Sequence, residues 1–376
     1  MTQKVRIPYI MGDGTGQDIW NASRELLEEA VIKAYNHEKE IEWIFLLAGE
    51  QALAKKGVLI PPETLETIKE LKFAIKGPLS TPIGGGFRSI NVYLRQVFDL
   101  YVCIRPIKYI KGLPSPIRNP DRIDMIIFRE NTEDVYKGIE WEAESEEVKK
   151  LIDFLKHEMD VSLPYDSGIG IKPISKKRTE RFVKWVLNYA VEHGRRKITI
   201  VHKGNIMKYT EGAFRAWAYS VLSEFLERFP EKKIAVNDVI ADNMFMQVIL
   251  RPEEYDVILC PNLNGDYLSD CCAALVGGLG VAPGANIGDD MAIFEPTHGS
   301  APKYAGMDVV NPLSFILSAC MLFDYIGLSK AKELIENAIE RTLNERIMTY
   351  DLARHVDGVK PVRCSEFGKA LLARLL

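Results

Sequence analysis

Short apolar runs alternate along this chain with stretches whose apolar residues recur at three- and four-residue spacing. That alternation is the mark of an α/β protein. Strands are predicted at residues 41–47, 73–75, 101–104, 123–128, 198–201 and 257–260, with a further strand directly after the first few residues. Leu27, Ala30, Val31 and Ala34 predict one helix. Phe182, Val183, Val186, Leu187 and Ala190 predict another, which should stop at Gly194. Residues 312–376 read as mostly helical. Two stretches break the rhythm. Residues 136–177 are acidic and then rich in Gly, Pro and Ser, which predicts an insertion with little core of its own, a β-arm packing on a partner. Residues 277–288 are glycine-rich and apolar, a composition suited to a hinge or to close contact with another backbone. No internal repeat or low-complexity tract is visible.

Composition narrows the class. A chain of 376 residues exceeds one ordinary core, so two domains or a large α/β body are expected. With 47% hydrophobic and 27% charged residues it is a globular composition, not a disordered one. The net charge of −4 supplies no overall basic field, which argues against a nucleic-acid partner. The six cysteines show no Cys-x-x-Cys spacing, neither a secretory leader nor a transit peptide opens the chain, and no apolar run approaches a membrane span. A cytoplasmic location without membrane attachment is the expectation.

The chemistry concentrates in a few runs. In Asn262-Leu-Asn-Gly-Asp266-Tyr-Leu-Ser-Asp270, the i, i+4 spacing puts two carboxylates on one helical face. Such hard oxygen ligands suit Mg²⁺ or Mn²⁺. Ser89-Ile-Asn91-Val-Tyr-Leu-Arg95, Arg105 and Arg129 supply guanidinium groups able to fork onto carboxylates, and Arg105 and Arg129 end predicted strands. A divalent metal facing clustered arginines implies a small polyanion, and hence an enzyme acting on an acidic metabolite. Each arginine alone would read as an ordinary ion-pair residue.

Other motifs carry two readings each. Gly12-Asp-Gly14-Thr-Gly16 is first a tight turn and second a phosphate contact, because it lacks the Gly-x-Gly-x-x-Gly spacing. Residues 77–88, with Ser80 and Thr81, form either a surface loop or one wall of the arginine site. Tyr136 could simply pack. Lys203 and Asn205 follow a strand directly, a usual place for functional groups, and Asp242 would otherwise cap a helix. The block Glu295-Pro-Thr-His298-Gly299-Ser300-Ala301-Pro302-Lys303-Tyr304, followed by Asn311, could wrap a nucleotide. Tyr350 and Arg354 would add a phenol and a cation on one face, or would merely pack.

Taken together, RSINVYLR, IFRENTEDVY, VHKGNIMK, NLNGDYLSD and THGSAPKYAG closely resemble the isocitrate/isopropylmalate dehydrogenase family of β-decarboxylating dehydrogenases, and within it the homodimeric, NADP-dependent bacterial branch acting on isocitrate. The resemblance runs from about Ile7 to the C-terminus. It implies an α/β fold that is not a true Rossmann fold, with a large domain (1–100 and 277–376), a small domain (101–133 and 179–276) and a clasp insertion (134–178) that interlocks two subunits. It further implies that Ser89, Asn91, Arg95, Arg105, Arg129 and Asn205 bind isocitrate. Tyr136, Lys203 and Asp242 then act in proton transfer, and Asp242, Asp266 and Asp270 hold Mg²⁺ or Mn²⁺, with Lys203 and Asp242 coming from the other subunit. NADP falls to Ser80 or Thr81, His298 to Tyr304, Asn311, Tyr350, Arg354 and a partner-subunit Arg251. Lys303 stands where NAD-using relatives tend to place an aspartate, so the 2′-phosphate of NADP is attracted rather than repelled. Ser89 matches a serine targeted by a regulatory kinase in related bacterial enzymes. Isopropylmalate, homoisocitrate and tartrate enzymes are the nearest alternatives, and the polar Ser89 and Asn91 favour a carboxylate over an isopropyl group. A Mg²⁺-dependent phosphotransferase and a catalytically inert subunit are the more distant ones.

Overall fold

The computed structural model describes residues 2–80 and 89–375. Its frame is one sheet of ten strands. In chain order they are β1 (Gln3–Ile10), β2 (Lys39–Phe45), β3 (Phe73–Lys76), β4 (Val102–Lys108), β5 (Asp124–Glu130), β8 (Lys197–His202), β9 (Ala235–Ile240), β10 (Val257–Cys260), β11 (Pro283–Ile287) and β12 (Ala292–Pro296). β6 (Glu140–Trp141) and β7 (Ile169–Gly170) form a separate two-stranded ladder. The spatial order β2-β1-β3-β12-β11-β4-β5-β10-β8-β9 puts both chain ends in one half and the middle of the chain in the other. Pairing is parallel within each outer block, while β12–β11, β11–β4 and β4–β5 are antiparallel.

The side-chain period of two explains the layering. Ile7, Ile75, Ile104, Phe128, Leu259 and Phe294 point to one face, where the long helices Gly16–Ala34, Lys176–Glu192, Leu313–Tyr325 and Ser329–Asn344 bury them. Their neighbours point the other way into two smaller cores. One holds Ile107, Ile127 and Ile258 beneath helices Ala241–Leu250 and Asn262–Leu275. The other holds Ile10, Ala74 and Ile293 beneath helices Pro62–Leu71 and Ile90–Val97. The cleft lies between these two cores, and the sheet forms its floor.

Most anticipated elements are present, including the Gly194 stop, where the glycine takes φ +65°. Two expectations are sharpened. Of the two readings of residues 277–288, close contact with other backbone holds and the hinge does not, because Pro283–Ile287 is strand β11, paired on both sides at the centre of the sheet. The clasp region has only a two-residue ladder, and it also contains a helix, Glu146–Met159, whose Val148 and Ile152 are buried. Ser145 caps that helix by accepting the Val148 N–H at 3.2 Å. Among the described residues no helix is long and apolar enough to cross a membrane.

Candidate active site

Sheet register lines up the floor of the cleft. Glu295 on β12 pairs with Gly284 on β11, and the register continued by one residue sets Glu295 beside Lys76 on one side and Gly284 beside Arg105 on the other. Parity sends Lys76, Glu295 and Arg105 to the cleft face. The Lys76 ammonium lies 2.5 Å from Glu295, the Arg95 guanidinium 3.1 Å and the Arg105 guanidinium 3.9 Å, and the Asn286 amide donates to it at 2.7 Å. Burial alone would raise the Glu295 carboxyl, but Lys76, Arg95 and Arg105 outweigh it and hold it well below the carboxylate range. Burial in turn lowers the Lys76 ammonium, against the pull of Glu295. At Gly284 a Cβ would collide with the Arg105 guanidinium, its Cζ lying 2.8 Å away, so any larger residue would displace the end of that side chain. Neither Lys76 nor Glu295 was read from sequence as a site residue. The available signal was a charge within an apolar strand, which burial permits only when it is paired.

Arg129, two residues past Ile127 on the same face of β5, builds the next part. Its Nε donates to Asn262 at 2.7 Å, its Nη1 bonds Asp266, and its guanidinium sits 4.7 Å from the centre of the Tyr136 ring. The Tyr136 hydroxyl donates to Asp266 at 2.5 Å. Burial pushes that hydroxyl up to about 12; Arg129 opposes the rise and the bond to Asp266 adds to it. Helix Asn262–Leu275 approaches closely because position 265 is glycine, where a Cβ would come within 2.7 Å of the Arg129 Cβ. Asp270 lies one turn after Asp266, and burial followed by the Asp266 charge raises its carboxyl. Two carboxylates under mutual repulsion on one helical face are a donor set that a divalent cation would relieve.

Several groups in this cleft are left waiting. Among the described residues, the Nε atoms of Arg95 and Arg105, Nη2 of Arg129 and Oδ1 of Asn91 are buried and meet no hydrogen-bond partner. Ser89 sits at the N-cap of helix Ile90–Val97 without a side-chain capping bond, two residues before Asn91 and six before Arg95. Cationic donors buried with unused hydrogens fit a bound anion.

Lys203 and Asp242 are arranged differently. Lys203 follows β8, and Asp242 lies in the first turn of Ala241–Leu250, whose N-cap is Ile240, so Asp242 is not the cap. Their side chains pair with each other, which lowers the Asp242 carboxyl through the bond from Lys203. Asn205 is exposed nearby in sequence. Arg251 caps the same helix, its backbone N–H donating to the Gln247 carbonyl at 2.8 Å, and its Nε donates to the Gln247 side chain at 3.0 Å. Among the described residues no three acidic, histidine or cysteine side chains converge as a metal site, so Asp242 does not join Asp266 and Asp270 within one chain.

On the opposite rim, Gly12-Asp-Gly-Thr-Gly16 is a tight turn that staples two loops. Thr15 N–H donates to the Ser300 carbonyl at 2.9 Å, Asp13 accepts Ser80 N–H at 2.9 Å, and the Ser80 and Ser300 hydroxyls meet at 2.9 Å. Gly14 takes φ +56° at the crossing. Burial lowers His298, whose Nε2 has no partner. Gly299 is exposed, and Ala301 turns the chain into Pro302–Tyr304 with φ +41°. The Lys303 ammonium rests 4.8 Å from the Tyr304 ring, and the Tyr304 and Tyr350 ring centres are 6.1 Å apart. Asn311 reaches Asp351 at 3.0 Å, and Arg354 ends the short helix that Tyr350 begins. A basic and phenolic patch results. Thr81 lies outside the described residues.

Comparison with known families matches residues 6–371 to isocitrate/isopropylmalate dehydrogenase. The chain belongs to the isocitrate/isopropylmalate dehydrogenase family. The NADP-type isocitrate dehydrogenase of Archaeoglobus fulgidus is 52% identical, over 98% of this chain and 92% of its own length. That of Helicobacter pylori is 48% identical, over 98% of this chain and 93% of its own. Among solved structures, the isocitrate dehydrogenase from Methylococcus capsulatus aligns with a TM-score of 0.84 at 34% identity, covering 100% of this chain and 99% of that one.

Within this family member, one chain gathers Asn91, Arg95, Arg105, Arg129, Tyr136, Asp266 and Asp270 about the cleft. It gathers Lys303, Tyr304 and Tyr350 at the rim. Lys203, Asp242 and Arg251 belong instead to the β8–β9 side of the sheet, whose last strand is an edge.

Proposed function

We propose that this chain catalyses the NADP-dependent oxidative decarboxylation of isocitrate to 2-oxoglutarate and CO₂, as a homodimer with Mg²⁺ or Mn²⁺. The observation that supports the site assignment is the set of buried donors on Arg95, Arg105 and Arg129 that meet no partner among the described residues, beside the Asp266–Asp270 face. Three guanidinium groups match a tricarboxylate in charge and shape. Asp266 and Asp270 would hold the cation with a partner-subunit Asp242; bound there, it supplies Lewis acidity at the substrate's hydroxyl and carboxylate. NADP⁺ would supply the hydride acceptor, and Lys303, Tyr304, Tyr350 and Arg354, with Arg251 from the second subunit, would hold its 2′-phosphate.

The chain's own groups divide the work. Arg95, Arg105 and Arg129 hold and orient the anion. Lys203, delivered across the subunit interface with Asp242, takes the proton from the substrate hydroxyl as C2 releases hydride. Tyr136, whose raised pKa keeps it protonated at neutral pH, then protonates the carbon left when CO₂ departs. A dimer is supported by apolar groups exposed in the single chain. Met246, Ile249, Leu250 and Tyr267 lie on the two helices flanking Asp242 and Asp266, and Phe154 and Met159 lie on the clasp. Six free cysteines suit a reducing cytoplasm. The Ser89 hydroxyl, uncommitted to its helix, is open to a kinase, and a phosphate there would add about −2 charge where a substrate carboxylate must sit. Normal isocitrate affinity in Ser89→Asp would remove that regulatory reading.

Absorbance of NADPH, followed with isocitrate or isopropylmalate and with NADP⁺ or NAD⁺ in magnesium buffer, tests the function directly. Turnover should be greatest for isocitrate with NADP⁺. Absence of that turnover in the purified dimer would overturn the assignment.

A further inference from the structure

The clasp insertion contributes a lysine that the proposed chemistry leaves unused. Lys172 follows β7 by two residues, and its ammonium lies 2.5 Å from Asp134 Oδ1 and 3.0 Å from Glu211 Oε1. Both carboxylates are sealed from solvent, their side chains 1% and 0% exposed. Two buried anions of like sign persist only with a cation between them.

The remaining contacts of these carboxylates lead to the catalytic groups. Asp134 opens the turn Asp134–Lys137 that presents Tyr136, and it holds φ +69° there. Its Oδ2 accepts the Leu263 N–H at 3.1 Å, in the first turn of the helix bearing Asp266 and Asp270. Glu211 Oε2 accepts the backbone N–H of Lys203 at 2.5 Å and the Asn264 amide at 2.8 Å. One ammonium is therefore the common neighbour of three elements: the Tyr136 turn, the Lys203 loop and the acidic helix. The cleft arginines rest on other partners, namely Glu295, Thr297, Asn262 and Asp266.

We propose that Lys172 is a positioning residue whose ammonium, held between Asp134 and Glu211, fixes the Tyr136 turn against the helix of Asp266 and Asp270 in its own subunit's site and, through Glu211, the Lys203 backbone that serves the partner's site. The proposal rests on the preceding reading, in which Tyr136 and Lys203 move protons. Lys172 acts through their placement, so turnover should depend on it more than anion binding does. Because Lys172 belongs to the clasp, displacement of the clasp strands would reach both proton-handling groups through the same ammonium.

The test uses full-length Lys172→Met and Lys172→Arg dimers with isocitrate, NADP⁺ and magnesium. Lys172→Met should lower kcat by about 10- to 100-fold, with both KM values within about threefold of wild type. The pH–kcat profile should shift by roughly half a unit or more, because misplaced proton-handling groups no longer meet the same neighbours. Lys172→Arg, which restores a cation between the two carboxylates, should recover most of the lost turnover. If Lys172→Met does not fold, Asp134→Asn, which keeps size and one acceptor oxygen, carries the same prediction. A kcat within about twofold of wild type would overturn the proposal. So would a kcat loss with an unmoved pH profile and no rescue by arginine, the behaviour of a mere brace. Failure of the wild-type dimer to turn over isocitrate is the separate result that overturns the functional reading, and this proposal with it.

Discussion

The centre of the sheet and its β8–β9 margin handle charge in opposite ways. At the centre, Lys76, Arg95 and Arg105 converge on a buried Glu295, and desolvation is offset by several bonds to one carboxylate. At the margin, Lys203 and Asp242 form a single pair in which the Asp242 side chain is 69% exposed, an arrangement that adds little stability. The first is a fixed electrostatic platform, preorganised before any ligand arrives. The second is a largely exposed ion pair with apolar residues exposed on the adjoining helices. Under the proposed function, the contrast puts anion binding and Tyr136 at the centre and Lys203 at the margin, so a second copy would be what brings Lys203 to the bound anion.

Mixed dimers probe that division most sharply. Tyr136→Phe and Lys203→Met homodimers should each lose about 10²–10⁴-fold in kcat. Their heterodimer should regain close to half of wild-type activity, because one of its two sites would carry both changes and the other none. A heterodimer as slow as its parents would place both groups in one chain's site and break the comparison.

The platform itself should be sensitive to loss of its anion. Glu295→Gln leaves three cations facing a neutral group, and urea denaturation should show about 3–5 kcal/mol lost. The sign with pH follows from the depressed carboxyl. The stability that Glu295 contributes is complete above the unfolded value of about 4.3 and drains away as pH falls toward the depressed folded value. Wild type should therefore weaken below about pH 4 more steeply than Glu295→Gln. Parallel acid profiles would deny Glu295 its role.

At the rim, Lys303→Asp should raise the KM for NADP⁺ on the order of 10- to 100-fold, or about 1.4–2.8 kcal/mol, while sparing NAD⁺. Equal effects on both coenzymes in steady-state kinetics would move the 2′-phosphate elsewhere. The smallest expected change is Gly284→Ala, which should cost about 1–3 kcal/mol of stability through overpacking. It should also raise the isocitrate KM by displacing Arg105, and thermal melts with initial rates check both.

Much of this molecule was legible in its residues. Strand and helix periodicity marked most of the sheet, and the spacing of Asp266 and Asp270 predicted their shared face. β11 was anticipated only as a possible close backbone contact and not as a strand, because Pro283-Gly-Ala-Asn lacks branched side chains and its neighbours on both sides make it a strand. The Glu146–Met159 helix was hidden by the acidic composition around it, although Ser145 offered a cap. Lys76, Glu295 and Asn262 were invisible as partners, since pairing across 133 to more than 200 positions leaves no local trace. Proximity of Lys203 to Asp242 was equally a product of adjacent strands β8 and β9.

Gly265 and Gly284 carry a lesson for anyone redesigning this scaffold. Each fixes the seat of an arginine by offering no atoms beyond the backbone. A survey that ranks positions by the chemistry of their side chains would pass over both. Substrate preference in such a scaffold can therefore drift through residues that never touch the ligand, and a library aimed at altered specificity should hold these two sites constant before varying anything else.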